Sequence, residues 1–171
     1  LSGVIPVLIT PLTEDYQIDE RGLLRLLEFL YSKPIGGLWV LGTGGEDMSL
    51  TYAQRLKVAE IVSDFNEQKL PIMLGTSFFS VEETFAFIKD TRHLEITAYH
   101  YMPYHTLIGL DNIETSYRLI AEQCSSPLWM YPSANWSKNI PAEFIGRLSD
   151  HSNIGGIKFS TSNAVDIEKA I

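Results

Sequence analysis

The sequence predicts an α/β fold of parallel strands, a TIM (β/α)8 barrel of which residues 1–171 supply about six β/α units. Three observations carry this. Short apolar runs bounded by turn signals alternate with stretches of helical periodicity about six times along the 171 residues. Runs such as Leu38-Trp39-Val40-Leu41 and Pro71-Ile72-Met73-Leu74 are apolar on successive residues, as expected when both faces of a parallel sheet are covered. The first connection, Thr10-Pro11-Leu12-Thr13-Glu14-Asp15, has no glycine, whereas an open doubly wound sheet normally places a phosphate-binding glycine turn there.

Strands are expected near residues 3–9, 36–42, 71–76, 94–101, 127–132 and 155–159. Helices fall between them, near 20–32, 51–66, 81–91, 111–124 and 141–149, with a sixth beginning near 163. Thr51 with Gln54, Ser80 with Glu83 and Asp111 with Glu114 have capping-box spacing, and Pro141 suits a first helical turn. No linker or low-complexity tract interrupts the chain, so residues 1–171 are expected to form a single barrel domain. A complete barrel typically needs about 250 residues. Leu1 is no natural start and Ala170-Ile171 no natural helix stop, so the sequence reads as a fragment, truncated at its C-terminus.

Composition narrows the function classes. With 45% hydrophobic and 20% charged residues the chain suits one globular core. Thirteen lysines and arginines against 21 acidic residues give a net charge of −8, with no basic stripe to attract nucleic acid. No apolar run approaches the length of a membrane span, and the amino-terminal residues lack the pattern of a secretory signal, so a soluble cytoplasmic protein is expected. Cys124 is the only cysteine, which excludes an intrachain disulfide and multi-thiolate zinc sites. The four histidines show no close metal-binding pair on a predicted helix.

In a parallel barrel the carboxyl ends of the strands share one mouth, and three polar features fall at such ends. Gly42-Thr43-Gly44-Gly45-Glu46 follows the second strand. Its glycines allow backbone N–H groups to approach a small anion and Thr43 adds a hydroxyl, although a plain glycine turn fits the same residues. Tyr131 ends Pro127-Leu128-Trp129-Met130-Tyr131, where its ring can serve the core or its hydroxyl can act as acid and base. Lys158 ends Gly155-Gly156-Ile157-Lys158, an apolar run read as a buried strand. A desolvated lysine has a lowered pKa and attacks carbonyls to form Schiff bases, and a snorkelling or ion-paired lysine is the alternative.

Together, Gly3-Val4-Ile5-Pro6-Val7-Leu8-Ile9-Thr10-Pro11, the Gly42–Glu46 loop, Tyr131 and Gly156-Ile157-Lys158 resemble the dihydrodipicolinate synthase / N-acetylneuraminate lyase family of Schiff-base aldolases, in order and spacing through essentially the whole chain. The resemblance implies that roughly the last two strands and a carboxyl-terminal helical region are absent. It also implies that Lys158 forms an imine with pyruvate or another 2-keto acid, that Tyr131 shuttles protons with Thr43 hydrogen-bonded to it, and that the N–H groups of Gly44 and Gly45 hold the substrate carboxylate. No metal or organic cofactor is required, and a homo-oligomer, tetramer or dimer, is implied. Gly44 lacks the side chain many members carry there, a form closer to the sugar-acid aldolase branches. Pro132-Ser133-Ala134 follows Tyr131 where the family usually has asparagine, a variable residue and proline. Asn135-Trp136 stands where the synthases have an arginine for a second carboxylate. His105 replaces a tyrosine that in the synthases reaches a neighbouring subunit's site, and it is either a substrate-binding proton donor or a loop residue. The expected function is a carbon–carbon lyase or aldolase, such as a keto-deoxy sugar acid aldolase. Condensation of pyruvate with aspartate semialdehyde, as in 4-hydroxy-tetrahydrodipicolinate synthase, is one alternative, and a barrel that binds a keto acid or sugar acid without catalysis is another.

Overall fold

The computed structural model describes residues 2–67, 69–133, 135–138, 140–161 and 163–170. Leu1, Ala134 and Ile171, which enter the reading of the chain ends and of the segment after Tyr131, lie outside them. The chain folds as two compact units, Leu1–Gly75 with Lys89–Thr97, and Thr76–Ile88 with Ala98–Ile171.

In the first unit, helix α1 (Glu20–Tyr31) starts at Asp19, whose carboxylate accepts the Gly22 N–H at 2.9 Å, and it buries Leu23 and Leu27 one turn apart. Strand β1 (Leu38–Val40) is buried throughout and runs parallel to β2 (Ile72–Gly75) in the register Leu38↔Ile72, Trp39↔Met73 and Val40↔Leu74. The expected first strand is only partly formed. Val4 and Val7 make isolated parallel bridges to Ile35 and Trp39, and the Leu8 N–H reaches the Trp39 carbonyl at 2.9 Å. Pro6 has no N–H to contribute to a continuous ladder. Helix α2 (Tyr52–Asn66) begins with the expected capping box: the Gln54 N–H donates to Thr51 Oγ1 at 3.3 Å and the Thr51 N–H to Gln54 Oε1 at 2.9 Å. Helix α3 (Val81–Thr91), whose residues up to Ile88 belong to the second unit, starts with half of its expected box, the Glu83 N–H donating to Ser80 Oγ.

In the second unit three parallel strands, β3 (Ala98–Tyr101), β4 (Leu128–Met130) and β5 (Ile154–Ile157), lie side by side in chain order. Prolines 127 and 132 bracket β4 and shorten it from the expected range. Helix α4 (Leu110–Gln123) buries Ile113, Tyr117, Ile120 and Ala121, and α5 (Ala142–Ser149) buries Phe144, Ile145 and Leu148. Helix α6 (Ala164–Ala170) follows.

Two expected caps are corrected. Gly109, not Asp111, precedes α4, and Pro141 sits at the N-cap of α5 rather than inside its first turn. Glu114 does not close a box. It spends its carboxylate on Arg118 at 2.9 Å and on Arg147 of α5 at 3.0 Å, and these two guanidiniums hold its carboxyl below the usual range.

The strand expected to be buried at 155–159 is largely half-buried, because β5 is the last strand of its sheet among the described residues. Its glycines answer to close packing. A Cβ on Gly156 would lie 2.8 Å from Trp129 Cε2 and 3.0 Å from two further indole atoms. Gly156→Ala is therefore expected to destabilise the protein by about 1–3 kcal/mol, measured by denaturant unfolding, since a ring packed on backbone has little room to yield.

Candidate active site

The Gly42–Glu46 segment leaves β1 through Leu41, a buried leucine held at a φ of 54°. A bulky residue in the left-handed region is strained, and such strain concentrates at functional turns. Thr43–Gly45 then form one turn of 3-10 helix, with the Gly45 N–H donating to the Gly42 carbonyl at 2.8 Å. A Cβ on Gly45 would come within 2.5 Å of the Leu8 carbonyl oxygen, so only glycine fits, and Thr10 Oγ1 fastens the turn by donating to the Gly45 carbonyl at 2.9 Å. Gly44 is exposed. Beyond Glu46, itself at a φ of 54°, Asp47 is 1% exposed and lies 3.9 Å from the buried Arg55 guanidinium.

The structure brings Lys158 and Tyr131 together. The Lys158 N–H donates to the Met130 carbonyl at 2.9 Å, continuing the β4–β5 register that pairs Trp129 with Gly156 and Met130 with Ile157. Tyr131 and Lys158 thus stand side by side just past their strand ends, and alternation puts both side chains on the face that carries Trp129 and Gly156. The Lys158 Nζ sits 4.3 Å above the centroid of the Tyr131 ring and 3.4 Å from Ser160 Oγ. Lys158 itself is half-buried rather than buried as the sequence suggested. Tyr131 is 6% exposed. Its N–H is shared between the Tyr101 carbonyl at 3.0 Å and the Tyr117 hydroxyl at 3.3 Å, and Tyr117 Oη donates to the same Tyr101 carbonyl at 3.2 Å. Burial pushes the Tyr101 phenol up to about 12 and the Tyr117 phenol higher still, so both remain protonated while they brace this strand end.

His105 is exposed in the loop after β3. Its Nδ1 accepts the Leu107 N–H at 3.2 Å, which leaves the proton on Nε2, the nitrogen from which it can donate. Sequence reasoning passed over Tyr117 and His100, which meet Tyr131, and Trp129, which packs on Gly156. For His100 and Trp129 the sequence signal is the period-2 pattern of β3 and β4, which becomes informative once the register is known, and Tyr117 lies on the buried face of α4. Among the described residues no group of three or more His, Cys, Asp or Glu side chains is arranged to hold a metal ion, and no helix is long and apolar enough to cross a membrane.

An amine beside a phenol at adjacent strand ends is equipped for carbonyl chemistry: the amine adds to a keto carbon and the phenol moves the protons that let water leave. Residues 1–171 match the profile of the dihydrodipicolinate synthetase family. The chain is 30% identical over 172 residues to a 4-hydroxy-tetrahydrodipicolinate synthase of Persephonella marina, covering 99% of this chain and 58% of the relative. It superimposes on the dihydrodipicolinate synthase of Bacteroides thetaiotaomicron with a TM-score of 0.90 at 30% identity, over 99% of this chain and 58% of that one. With an N-acetylneuraminate lyase of Mycoplasma synoviae the TM-score is 0.89 at 21% identity, over 98% and 58%, a likeness of fold. The expected fold class holds: the chain is part of a (β/α)8 barrel. It spans a little under three fifths of the length of these relatives. With the family profile matched from residue 1 to residue 171, the chain belongs to the dihydrodipicolinate synthetase family.

Proposed function

We propose that the protein containing this chain is a class I, imine-forming lyase or aldolase that makes or breaks a carbon–carbon bond of pyruvate or another 2-keto acid. The observation that carries the reading is the Lys158 amine 4.3 Å above the Tyr131 ring at neighbouring strand ends, and membership of the family supports it. The neutral amine adds to the keto carbon. The carbinolamine loses its hydroxyl as water with a proton relayed through Tyr131, leaving an iminium on Lys158. That iminium accepts the electron pair released when the adjacent carbon loses a proton or a bond to an aldehyde, giving an enamine. The roles of Thr43, Gly44 and Gly45 in holding Tyr131 and the substrate carboxylate, and of His105 in substrate binding, belong to the same proposal. So do a single barrel domain for residues 1–171, a homo-oligomeric state and a cytoplasmic location.

For the second substrate, Gly44 and the exposed Asn135-Trp136 pair favour a keto-deoxy sugar acid over an acceptor with a second carboxylate, since neither supplies a fixed positive charge. The name carried by the relative from Persephonella marina favours aspartate semialdehyde. Incubation of the full-length protein with pyruvate and borohydride tests the chemistry: a reduced pyruvyl adduct is expected on Lys158, and its absence or placement on another lysine would refute the reading.

A further inference from the structure

The three strands of the second unit present one face whose residues follow from the register. Tyr101 pairs with Met130 and His100 with Trp129, and Trp129 in turn pairs with Gly156. Alternation therefore stacks two rows on that face: His100, Trp129 and Gly156 below, and Met102, Tyr131 and Lys158 above. Gly156 has no side chain, which lets the Trp129 indole lie against the backbone. His100 stands diagonally beneath Tyr131. It is 1% exposed, and its ring meets that of Tyr131 with centroids 5.6 Å apart and planes at 76°, an edge-to-face pair.

The backbone of Tyr131 is pinned by Tyr101 and Tyr117, whose bonds act on its N–H rather than on its ring. Lys158 lies over the face of the ring, and His100 meets the ring in the edge-to-face pair. The first is consumed by the reaction, because the amine becomes an imine and moves with the substrate. The contact with His100 persists through the cycle. We propose, on the footing of the imine reading above, that His100 is a positioning residue of the reaction, its imidazole ring keeping the Tyr131 phenol aimed while Lys158 changes from amine to iminium to enamine.

The consequence is a separation of steps. Pyruvate binding and imine formation at equilibrium depend on Lys158, whereas proton movement at the neighbouring carbon depends on where the phenol points. Pyruvate in D2O reads the second step without any aldehyde, since the iminium loses a methyl proton to become the enamine and the enamine takes up a deuteron to return to the iminium. Borohydride trapping on Lys158 reads the first.

In the full-length protein, His100→Leu keeps a buried apolar volume but removes the ring. It is expected to give Lys158 adduct within about twofold of wild type and an unchanged KM for pyruvate, with methyl exchange about tenfold slower, as a misaimed proton donor would give. His100→Phe restores a ring edge and is expected to recover exchange to within about threefold of wild type. His100→Gln, polar without a ring, should be as slow as the leucine variant and replaces it if that variant fails to fold. Wild-type exchange in the leucine or glutamine variant overturns the role of His100 and leaves the imine reading standing. That role is equally overturned if the phenylalanine variant is as slow as the others, or if adduct and exchange fall together. No adduct on Lys158 in the wild-type protein overturns both.

Discussion

Lys158→Arg is expected to leave no borohydride-trapped pyruvyl adduct and to lower turnover by about 10⁴-fold or more, with thermal unfolding close to that of the wild type. Arginine preserves the charge and much of the length, and its guanidinium can still lie over the Tyr131 ring, so the contact that lysine makes at 4.3 Å is replaced rather than lost. What arginine cannot do is give up a proton to become a nucleophile, because its pKa lies above about 12. The half-buried position of Lys158 makes the substitution tolerable, since no sealed cavity has to accept the larger head group. A variant that keeps its fold and its affinity for pyruvate but loses all adduct isolates imine chemistry from binding. A variant that still turns over would remove Lys158 from the reaction and return the pair to a packing role.

The pair was legible because its two members sit at strand ends, which punctuation and apolar runs mark well. Helices 20–31, 52–66 and 81–91 fall where their period and caps placed them, and the capping box at Thr51 forms with both of its bonds. The misreadings have local causes. Pro6, Pro127 and Pro132 cut strands short of their apolar runs by withholding ladder hydrogen bonds. Asp111 lost the cap to Gly109. Glu114 has two arginines within reach, one of them 33 residues away on α5, a choice no local pattern contains. His100 was hidden for a related reason. Flanked by Tyr99 and Tyr101 it reads as one aromatic among several, and only the register across β3 and β4 shows that it shares the face of Tyr131 while Tyr101 meets Tyr117 on the other side. Sequence period tells which residues share a face of one strand, whereas function here depends on which residues meet across strands.

Asp47 carries the other large effect, and nothing in the Gly42–Glu46 motif pointed to it. Its side chain is 1% exposed and that of Arg55 on α2 is 3% exposed, with 3.9 Å between carboxylate and guanidinium, and Arg55 Nη2 also approaches Met48 Sδ at 3.4 Å. Burying either charge alone is costly, so their proximity is a condition of burying both rather than a gain added to a finished core. Asp47→Ala is expected to cost about 3–5 kcal/mol in denaturant unfolding, because it removes the carboxylate from beside the buried Arg55 guanidinium. Replacing both, Asp47→Leu with Arg55→Met, is expected to recover most of that loss, since a similar apolar volume carries no desolvation penalty. Function should not recover with stability. Asp47 begins the 3-10 turn that follows Glu46, the left-handed residue closing the glycine loop, so the charge pair anchors the loop from its carboxyl side as Thr10 does from the Gly45 carbonyl. In the double variant the expected signature is a raised KM for pyruvate with Lys158 still forming an adduct at saturating substrate. An unchanged KM would mean that the loop holds its geometry through Thr10 and the close fit of Gly45 against Leu8 alone.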